Sequence, residues 1–539
     1  MHLRYVFKFP FIAAVMCAAA SVSLGACGGA DPVDGDVAAA GEAQELTAES
    51  AEALTCPASL PTIDLRKSLI VTKETDPGVF TEFTLSFVLQ KLIDSVGSDQ
   101  QPLNLYQRWW DTQNDDSHSF FGDPDSTHCD DVLDSNGGGL LNGFPYTCPR
   151  NEGVLAGSNP FDPNGPHFME PVALVNRFDL APVDGSHCGE YRIIYAKKSS
   201  SPIDRNFIIF EAQLPNPNPE CGIAACLPVA EFWANLSDPN MTSTQRRDAL
   251  EGFYFNGLPG FAPVIQASNF MASTGQIRTN QFMRTARPAL DPQPWTLREF
   301  KLDLGTDFLD NSIRLFFEPV TVKENPSASL FSASFDPNDP RGAAFRSGFL
   351  DALDGLVPVG DDENDISLRT LPNQDLFNTG ESVVDSSSDY RQHLQGNTAF
   401  IADIDAALAP IIQSRGLLPG MVTADNAADR ATTQSCAGCH ELSSVDNEDL
   451  GGLHVWPEHF PTTAPGTFVH VNEEGEISAP LQWTFLPHRA QVLTSFIEEK
   501  SCETACPSTA ASADVTEASA DVLLDSAEQV PTLGGATTH

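Results

Sequence analysis

The sequence predicts an α+β protein in which a domain built on an antiparallel sheet is followed by a small all-α domain. Segments rich in β-branched and aromatic residues alternate with Pro, Gly and Ser breaks between residues 172 and 322. This pattern is typical of neighbouring antiparallel strands. Segments with apolar residues at helical spacing follow between residues 396 and 500, which predicts helices there.

The first domain begins with short elements and continues into the strands of the sheet. The strand predictions cover residues 68–72, 172–180, 190–196, 206–213, 275–283, 295–302 and 312–322. The helix predictions cover residues 80–93, 103–110, 229–236, 242–255 and 338–356. Ser243 and Thr244 are candidate caps of the fourth helix, because hydroxyl side chains accept hydrogen bonds from free N–H groups.

Three helices make up the predicted all-α domain, at residues 396–414, 423–438 and 487–500. Thr423 and Asp425 are candidate caps of the second helix, and Pro487 lies in the first turn of the third. The second helix runs into the most specific motif of the chain, Cys436-Ala-Gly-Cys439-His440.

This C-x-x-C-H motif is the attachment signature of a covalently bound c-type haem. Its two thiols can add to two vinyl groups of one porphyrin, and the imidazole of His440 can then ligate the iron. Ala437 and Gly438 are small, so the backbone can approach the ring edge. The alternatives are a redox disulfide or half of a zinc site. Cys502 and Cys506 could complete a zinc site, but they are more simply interpreted as a disulfide.

Residues 420–500 resemble the small monohaem c-type cytochrome domain, in which a helix enters the motif and a closing helix follows a loop. The resemblance implies that Cys436 and Cys439 form the thioethers of one covalent haem c and that His440 is the proximal ligand. The segment at residues 450–454 stands where such domains carry a Gly/Pro-Leu loop at the haem edge. We recognise no family for the sheet domain.

The sixth iron ligand of that family is usually a Met before the last helix, and this chain has no Met after Met421. The candidates are Met421, His454, His459, His470 and His488. His470 ranks first because it lies in an apolar segment, residues 468–471, and His488 ranks second. Ligation by two His residues implies a low-potential carrier, whereas an open position implies catalysis or gas binding.

The first residues predict export. Arg4 and Lys8 precede an apolar stretch at residues 9–20, which is typical of a secretory signal. Residues 24–27 resemble a bacterial lipobox, which implies a signal over 1–26 and lipid on Cys27. Gly28 after it implies the outer membrane, facing the periplasm or the surface. An ordinary cleaved signal is the alternative. No further apolar stretch of spanning length occurs, so the predicted membrane contact is the lipid anchor alone.

The remaining boundaries follow from composition. Residues 27–55 and 507–539 lack Lys and Arg and are predicted to be an acidic disordered tether and tail. Residues 56–385 form the predicted α+β domain, and 386–506 form the haem domain. The net charge of −43 excludes a nucleic-acid partner, because phosphate binding requires basic patches. A solvated acidic surface explains this charge better than a surface that attracts a binding partner electrostatically does.

Eight cysteines remain for disulfides in an oxidising compartment. Local pairing predicts Cys129–Cys148, Cys221–Cys226, Cys502–Cys506 and Cys56–Cys188. The first pair would close the polar loop at residues 111–149, whose many Asp residues indicate a solvated loop more than a calcium site because EF-hand spacing is missing. Charged residues within predicted strands are interpreted as structural ion pairs, not a catalytic site; they are Arg177, Asp179, Glu190, Arg192 and Glu211.

Three functions fit these patterns, and no hydrolase, zincin or nucleotide-binding motif supports another. The first is electron transfer to a redox partner that the sequence does not identify. The second is a haem enzyme of peroxidase or oxygenase type with an open distal site, to which Trp456 or Trp483 would contribute. The third is a sensor or ligand-binding lipoprotein with a redox haem.

Overall fold

One antiparallel sheet organises the chain. The structure is a computed structural model that describes residues 61–121, 127–198, 204–282, 294–306, 312–357, 374–442, 470–501 and 533. Its strands are β1 (Ile70–Thr72), β2 (Leu140–Leu141), β3 (Phe144–Pro145), β4 (Met169–Arg177), β5 (His187–Lys197), β6 (Arg205–Pro215), β7 (Gln276–Phe282), β8 (Thr296–Thr306), β9 (Ile313–Val320) and β10 (Glu381–Val383). The large sheet has the order β1-β4-β5-β6-β7-β8-β10, with β9 also on β8, and β2 pairs with β3.

Helices connect and cover these strands. The α-helices are α1 (Leu65–Ser68), α2 (Leu85–Ser95), α3 (Pro102–Asp111), α4 (Leu227–Asn235), α5 (Ser243–Phe255), α6 (Pro340–Ala352), α7 (Gln374–Phe377), α8 (Tyr390–Leu394), α9 (Thr398–Ser414), α10 (Ala424–Gln434), α11 (Cys436–Leu442) and α12 (Leu486–Lys500). Short 3-10 helices and a π-helical turn, Leu481–Phe485, complete the described elements. The predicted α+β class with an antiparallel sheet is therefore confirmed.

The sheet has one apolar face because alternate residues of a strand point to opposite sides. Tyr191 of β5 stacks on Trp233 of α4, with ring centroids 5.8 Å apart. Trp109 of α3 stacks on Phe317 of β9 at 4.0 Å. All four rings are buried, so large aromatic side chains fill the layer between these helices and the sheet.

Capping explains three differences from the predicted helices. The helix expected over residues 80–93 divides, because Thr84 caps α2 by accepting a hydrogen bond from Phe87 N. Thr242, rather than Ser243 or Thr244, caps α5 and forms a capping box with Gln245. The helix expected over residues 423–438 divides at Ser435, so the C-x-x-C-H motif has a helix of its own.

The disulfides confirm one predicted pair and correct others. Cys129–Cys148 is present as predicted. Cys188 pairs with Cys226, 38 residues away, so the predicted Cys221–Cys226 and Cys56–Cys188 pairs are wrong. Cys221 is disulfide-bonded as well. The bridge to Cys226 forms because β5 and the start of α4 are neighbours in space, which spacing along the chain does not reveal. Cys502 and Cys506 lie outside the described residues.

Side chains from both sides of the predicted 385/386 domain boundary pack into one core. Phe331 lies within 5.0 Å of the ring centroids of Phe345, Phe349 and Tyr390, and Tyr390 belongs to α8. The Tyr390 hydroxyl donates a hydrogen bond to Pro326 O at 2.9 Å. The boundary stays a prediction, and the contacts across it are apolar and buried.

Several predictions on the chain ends fall outside the described residues. These are the signal at residues 1–26, lipid on Cys27, the tether at 27–55 and the tail at 507–539, of which only residue 533 is described. None of the helices within the described residues combines the length and apolar composition that a bilayer crossing requires.

We expect Phe331→Ala to lower the free energy of unfolding by about 3–5 kcal/mol, because it removes a fully buried ring from the centre of this cluster. The shared core also predicts that residues before and after position 385 unfold together. Urea unfolding followed by tryptophan fluorescence and by circular dichroism measures both effects. Phe120→Ala, at a side chain that is 55% exposed, is the control and should change stability by less than about 0.5 kcal/mol. Two separate transitions would contradict the shared core.

Candidate functional site

The C-x-x-C-H motif lies on the short helix α11, which starts where α10 ends. Ser435 adopts an extended backbone between the two helices, and its hydroxyl accepts a hydrogen bond from Gly438 N at 3.0 Å. Ala437 N donates to Ser382 Oγ of β10 at 2.9 Å. The serine cap and this bond hold the first turn of α11 against the edge of the sheet.

The two small residues of the motif allow close packing against the protein itself. Ala437 packs in a small cluster with Trp295, Leu297 and Val322. A Cβ atom on Gly438 would lie 1.8 Å from Thr432 O, which no side chain tolerates. The sequence predicted that their small size lets the backbone approach the edge of a haem ring. In the structure, Gly438 lies close to Thr432 of α10, and Ala437 packs against Leu297 of β8.

The imidazole of His440 stacks on the indole of Trp295, with centroids 4.0 Å apart and planes 27° apart. Burial, with a smaller effect of the Arg205 charge, lowers the pKa of His440 to about 3. The imidazole is therefore neutral at physiological pH, which is the form that ligates a metal. The stacking fixes the ring orientation.

Both motif cysteines are free thiols and do not bond to each other. Cys439 is buried and Cys436 is partly exposed. Burial raises the pKa of the Cys436 thiol to about 11 and that of Cys439 further still. Reactive dithiol pairs have lowered pKa values, so these surroundings do not favour the alternative of a redox disulfide.

A row of paired charges, Glu190, Arg192, Glu211, Arg278 and Glu299, lies on the sheet beside Cys436. Arg192 pairs with Glu190 at 3.0 Å and with Glu211 at 3.2 Å. Arg278 pairs with Glu211 at 3.3 Å and with Glu299 at 3.0 Å. Of the residues predicted to pair across strands, Arg192 and Glu211 do so. Arg192 and Glu190 pair within β5, and Arg177 pairs with Asp179, two residues further along the chain, at 2.9 Å. Arg278, Glu299 and Glu211 are close enough to influence the Cys436 thiol electrostatically.

The three motif side chains fit the donor set that a covalent haem requires. Cys436 and Cys439 are one helical turn apart, and His440 is four residues after Cys436, so all three lie on one side of α11. The thiols are free, and the imidazole is neutral and held by Trp295. The helix therefore presents together two thiols and one neutral imidazole, which are the groups that a covalent haem requires.

The structure separates the candidates for the sixth ligand. His454 and His459 lie outside the described residues, as do Trp456 and the segment at residues 450–454. Met421 precedes α10, whose 11 residues span about 16 Å at 1.5 Å per residue, and Cys436 follows its other end. This separation disfavours Met421.

His470 lies at the same end of the sheet as His440. Arg205, the charge that acts on His440, forms an ion pair with Glu473. Glu473 lies in the tight turn that starts at His470, where Ser478 N donates to His470 O at 2.9 Å. Arg205 therefore pairs with this turn and also acts electrostatically on the imidazole of His440.

His488 lies towards the opposite end of the sheet. The next residue in the chain, Arg489, is 3.8 Å from Asp179. Asp179 follows the end of β4, where Arg177 lies opposite Glu190 of β5. Ala196 marks the other end of β5, near Arg205. It is six residues from Glu190, which corresponds to roughly 20 Å. This distance favours His470 over His488. Trp483, the other described distal candidate, is 59% exposed.

We compared the chain with protein-family models, with curated proteins and with solved structures, and nothing matched in any of the three comparisons. The functional argument therefore depends on the geometry of the motif helix and its neighbours.

We expect Gly438→Ala to destabilise the protein by about 1–3 kcal/mol or more, because the new methyl group collides with the backbone of Thr432. Thermal unfolding measures the change. Gly252→Ala is a matched control, because Gly252 lies within α5 with open space around its Cα; it should be neutral or stabilising by up to about 1 kcal/mol. Equal stability of the two variants would show that α11 does not lie against α10 as described.

Proposed function

We propose that this protein is a membrane-anchored c-type cytochrome that carries one covalent haem c and transfers electrons. The observation that supports the proposal most strongly is the motif helix α11. It presents Cys436, Cys439 and His440 on one side, with the thiols unpaired and the imidazole oriented by Trp295. A haem bound there supplies one-electron chemistry at its iron.

The chain's own residues would hold the iron ligand in a fixed orientation and surround it with buried groups. Trp295 restricts rotation of the His440 ring, and the Ser435 cap and Ser382 hold the helix that carries it. The neighbouring charges on the sheet are buried and paired, with Glu211 and Glu299 at most 3% exposed. Preorganised surroundings change little between oxidation states, which suits an electron carrier.

We propose His470 as the sixth ligand. The support is that Arg205 acts electrostatically on His440 and forms an ion pair with Glu473, which lies in the turn that starts at His470. Imidazole ligation on both sides would give a lower potential than Met ligation. His488 is the second candidate.

The anchor and the location are part of the same proposal. Haem attachment of this type occurs outside the cytoplasm, and the predicted signal over residues 1–26 and lipid on Cys27 agree with it. The acidic tether over residues 27–55 would hold the haem away from the membrane surface. The redox partner is then another protein of the cell envelope.

We expect the double variant Cys436→Ala/Cys439→Ala to lose covalent haem, because no thiol remains to form a thioether. Haem staining after denaturing electrophoresis measures this. The double variant Cys129→Ala/Cys148→Ala also loses two cysteines, from a disulfide far from α11 along the chain, and should retain the stain. A stained band from the first variant would contradict the proposed attachment site.

We expect His470→Ala to open one iron position, so that the reduced protein binds CO, whereas the parent and His488→Ala do not. Absorption spectra of the reduced protein with and without CO measure this difference. CO binding by the parent would contradict electron transfer with two protein ligands and favour the haem enzyme or a gas sensor. CO binding by His488→Ala alone would assign the ligand to His488.

A further inference from the structure

The polar loop at residues 111–149 brings three metal-ligating side chains together away from the motif helix. The ligand atoms of Asp116, His128 and Asp131 all lie within 4.8 Å of one another. The Cys129–Cys148 disulfide fixes the segment beside His128. Sequence patterns indicated a solvated loop here, because its Asp residues lack EF-hand spacing and His128 was not considered with them.

His128 differs from a surface histidine in its burial and its unmet hydrogen bonding. The residue is 5% exposed, and within the described part of the chain its Nε2 atom has no hydrogen-bond partner. Nδ1 lies 3.3 Å from Asp116 Oδ1. Nε2 lies 3.8 Å from Asp111 Oδ2. The ring is thus placed between a buried carboxylate and an exposed pair of carboxylates.

Asp111 is held rigidly on its side of the ring. It is 2% exposed, and its carboxylate accepts hydrogen bonds from Phe120 N at 2.9 Å, Ser119 Oγ at 3.0 Å and Asn114 Nδ2 at 2.9 Å. Metal-bound His residues usually direct their second nitrogen to a carboxylate of this kind, which fixes the ring and its tautomer. Asp111 Oδ2 lies beside Nε2 at 3.8 Å, which is too far for a hydrogen bond, while Nδ1 faces the other two groups.

The exposed carboxylates are also positioned by the backbone. Asp131 Oδ2 accepts from His128 N at 3.0 Å. Asp116 N donates to Asp130 Oδ1 at 3.1 Å, so the backbone of Asp116 is tied to the same loop. Two carboxylates that converge on one imidazole repel each other unless a cation lies between them.

We propose that Asp116 and Asp131, with Nδ1 of His128, bind a divalent transition-metal cation of the Zn²⁺ class. In a tetrahedral site with bonds of about 2.0–2.1 Å, ligand atoms are about 3.3–3.4 Å apart. The 3.3 Å between His128 Nδ1 and Asp116 Oδ1 matches that edge. An imidazole ligand selects this class over Ca²⁺ and Mg²⁺, which prefer oxygen. Three protein ligands leave one position for water.

Titration calorimetry of the purified full-length protein with Zn²⁺, after chelator treatment, tests the site. We expect one Zn²⁺ site that Asp116→Asn and Asp131→Asn each weaken at least about tenfold, because each change removes an anionic ligand. Both side chains are exposed, so the variants should fold. Asp134→Asn removes the same charge from an exposed position in the same loop and is the matched control, with affinity unchanged within about twofold.

X-ray absorption at the zinc edge identifies the ligands independently of any haem. One imidazole and oxygen ligands at about 2.0–2.1 Å are expected. Sulfur ligands at about 2.3 Å would assign the metal to cysteines and overturn the proposal. Absence of Zn²⁺ binding, equal weakening by all three Asn variants, or tighter binding of Ca²⁺ than Zn²⁺ would overturn it as well. This inference does not depend on the proposed haem.

Discussion

The pairing of buried charges on one face of the sheet constrains the register of its central strands. Glu211 contacts Arg192 on one neighbouring strand and Arg278 on the other, and Arg278 also contacts Glu299. A shift of one residue would turn every side chain of a strand to the opposite face. It would leave buried charges unpaired at a cost of about 3–5 kcal/mol for each broken pair. The same register brings Trp295 to the charged face, where the motif helix packs.

The motif helix depends on that placement for its position. Two of its anchors are local, namely the Ser435 cap and the contact of Gly438 with Thr432. Of the other two, Ser382 comes from β10 and Trp295 from the residue just before β8. The sheet thus orients the imidazole of His440.

Sequence patterns predicted what local periodicity determines and missed what depends on contacts between distant segments. The β-branched and aromatic residues of β5 and β6 predicted both strands, and the close spacing of Cys129 and Cys148 predicted their disulfide. Cys188–Cys226 was missed because its partners meet only in the folded chain. The break at Ser435 had a local signal, a serine that can cap a helix, but the predicted helix over residues 423–438 continued through it. His128 was missed because its importance comes from Asp111, Asp116 and Asp131 in space.

The covalent bond between the chain and one haem is the central claim. Mass spectrometry of the peptide that contains the C-x-x-C-H motif, obtained by proteolysis of the denatured mature protein, tests it most directly. We predict a peptide heavier by one haem, with no alkylatable thiol at Cys436 or Cys439. A peptide of unmodified mass, whether its cysteines are free or joined in a disulfide, would contradict the claim.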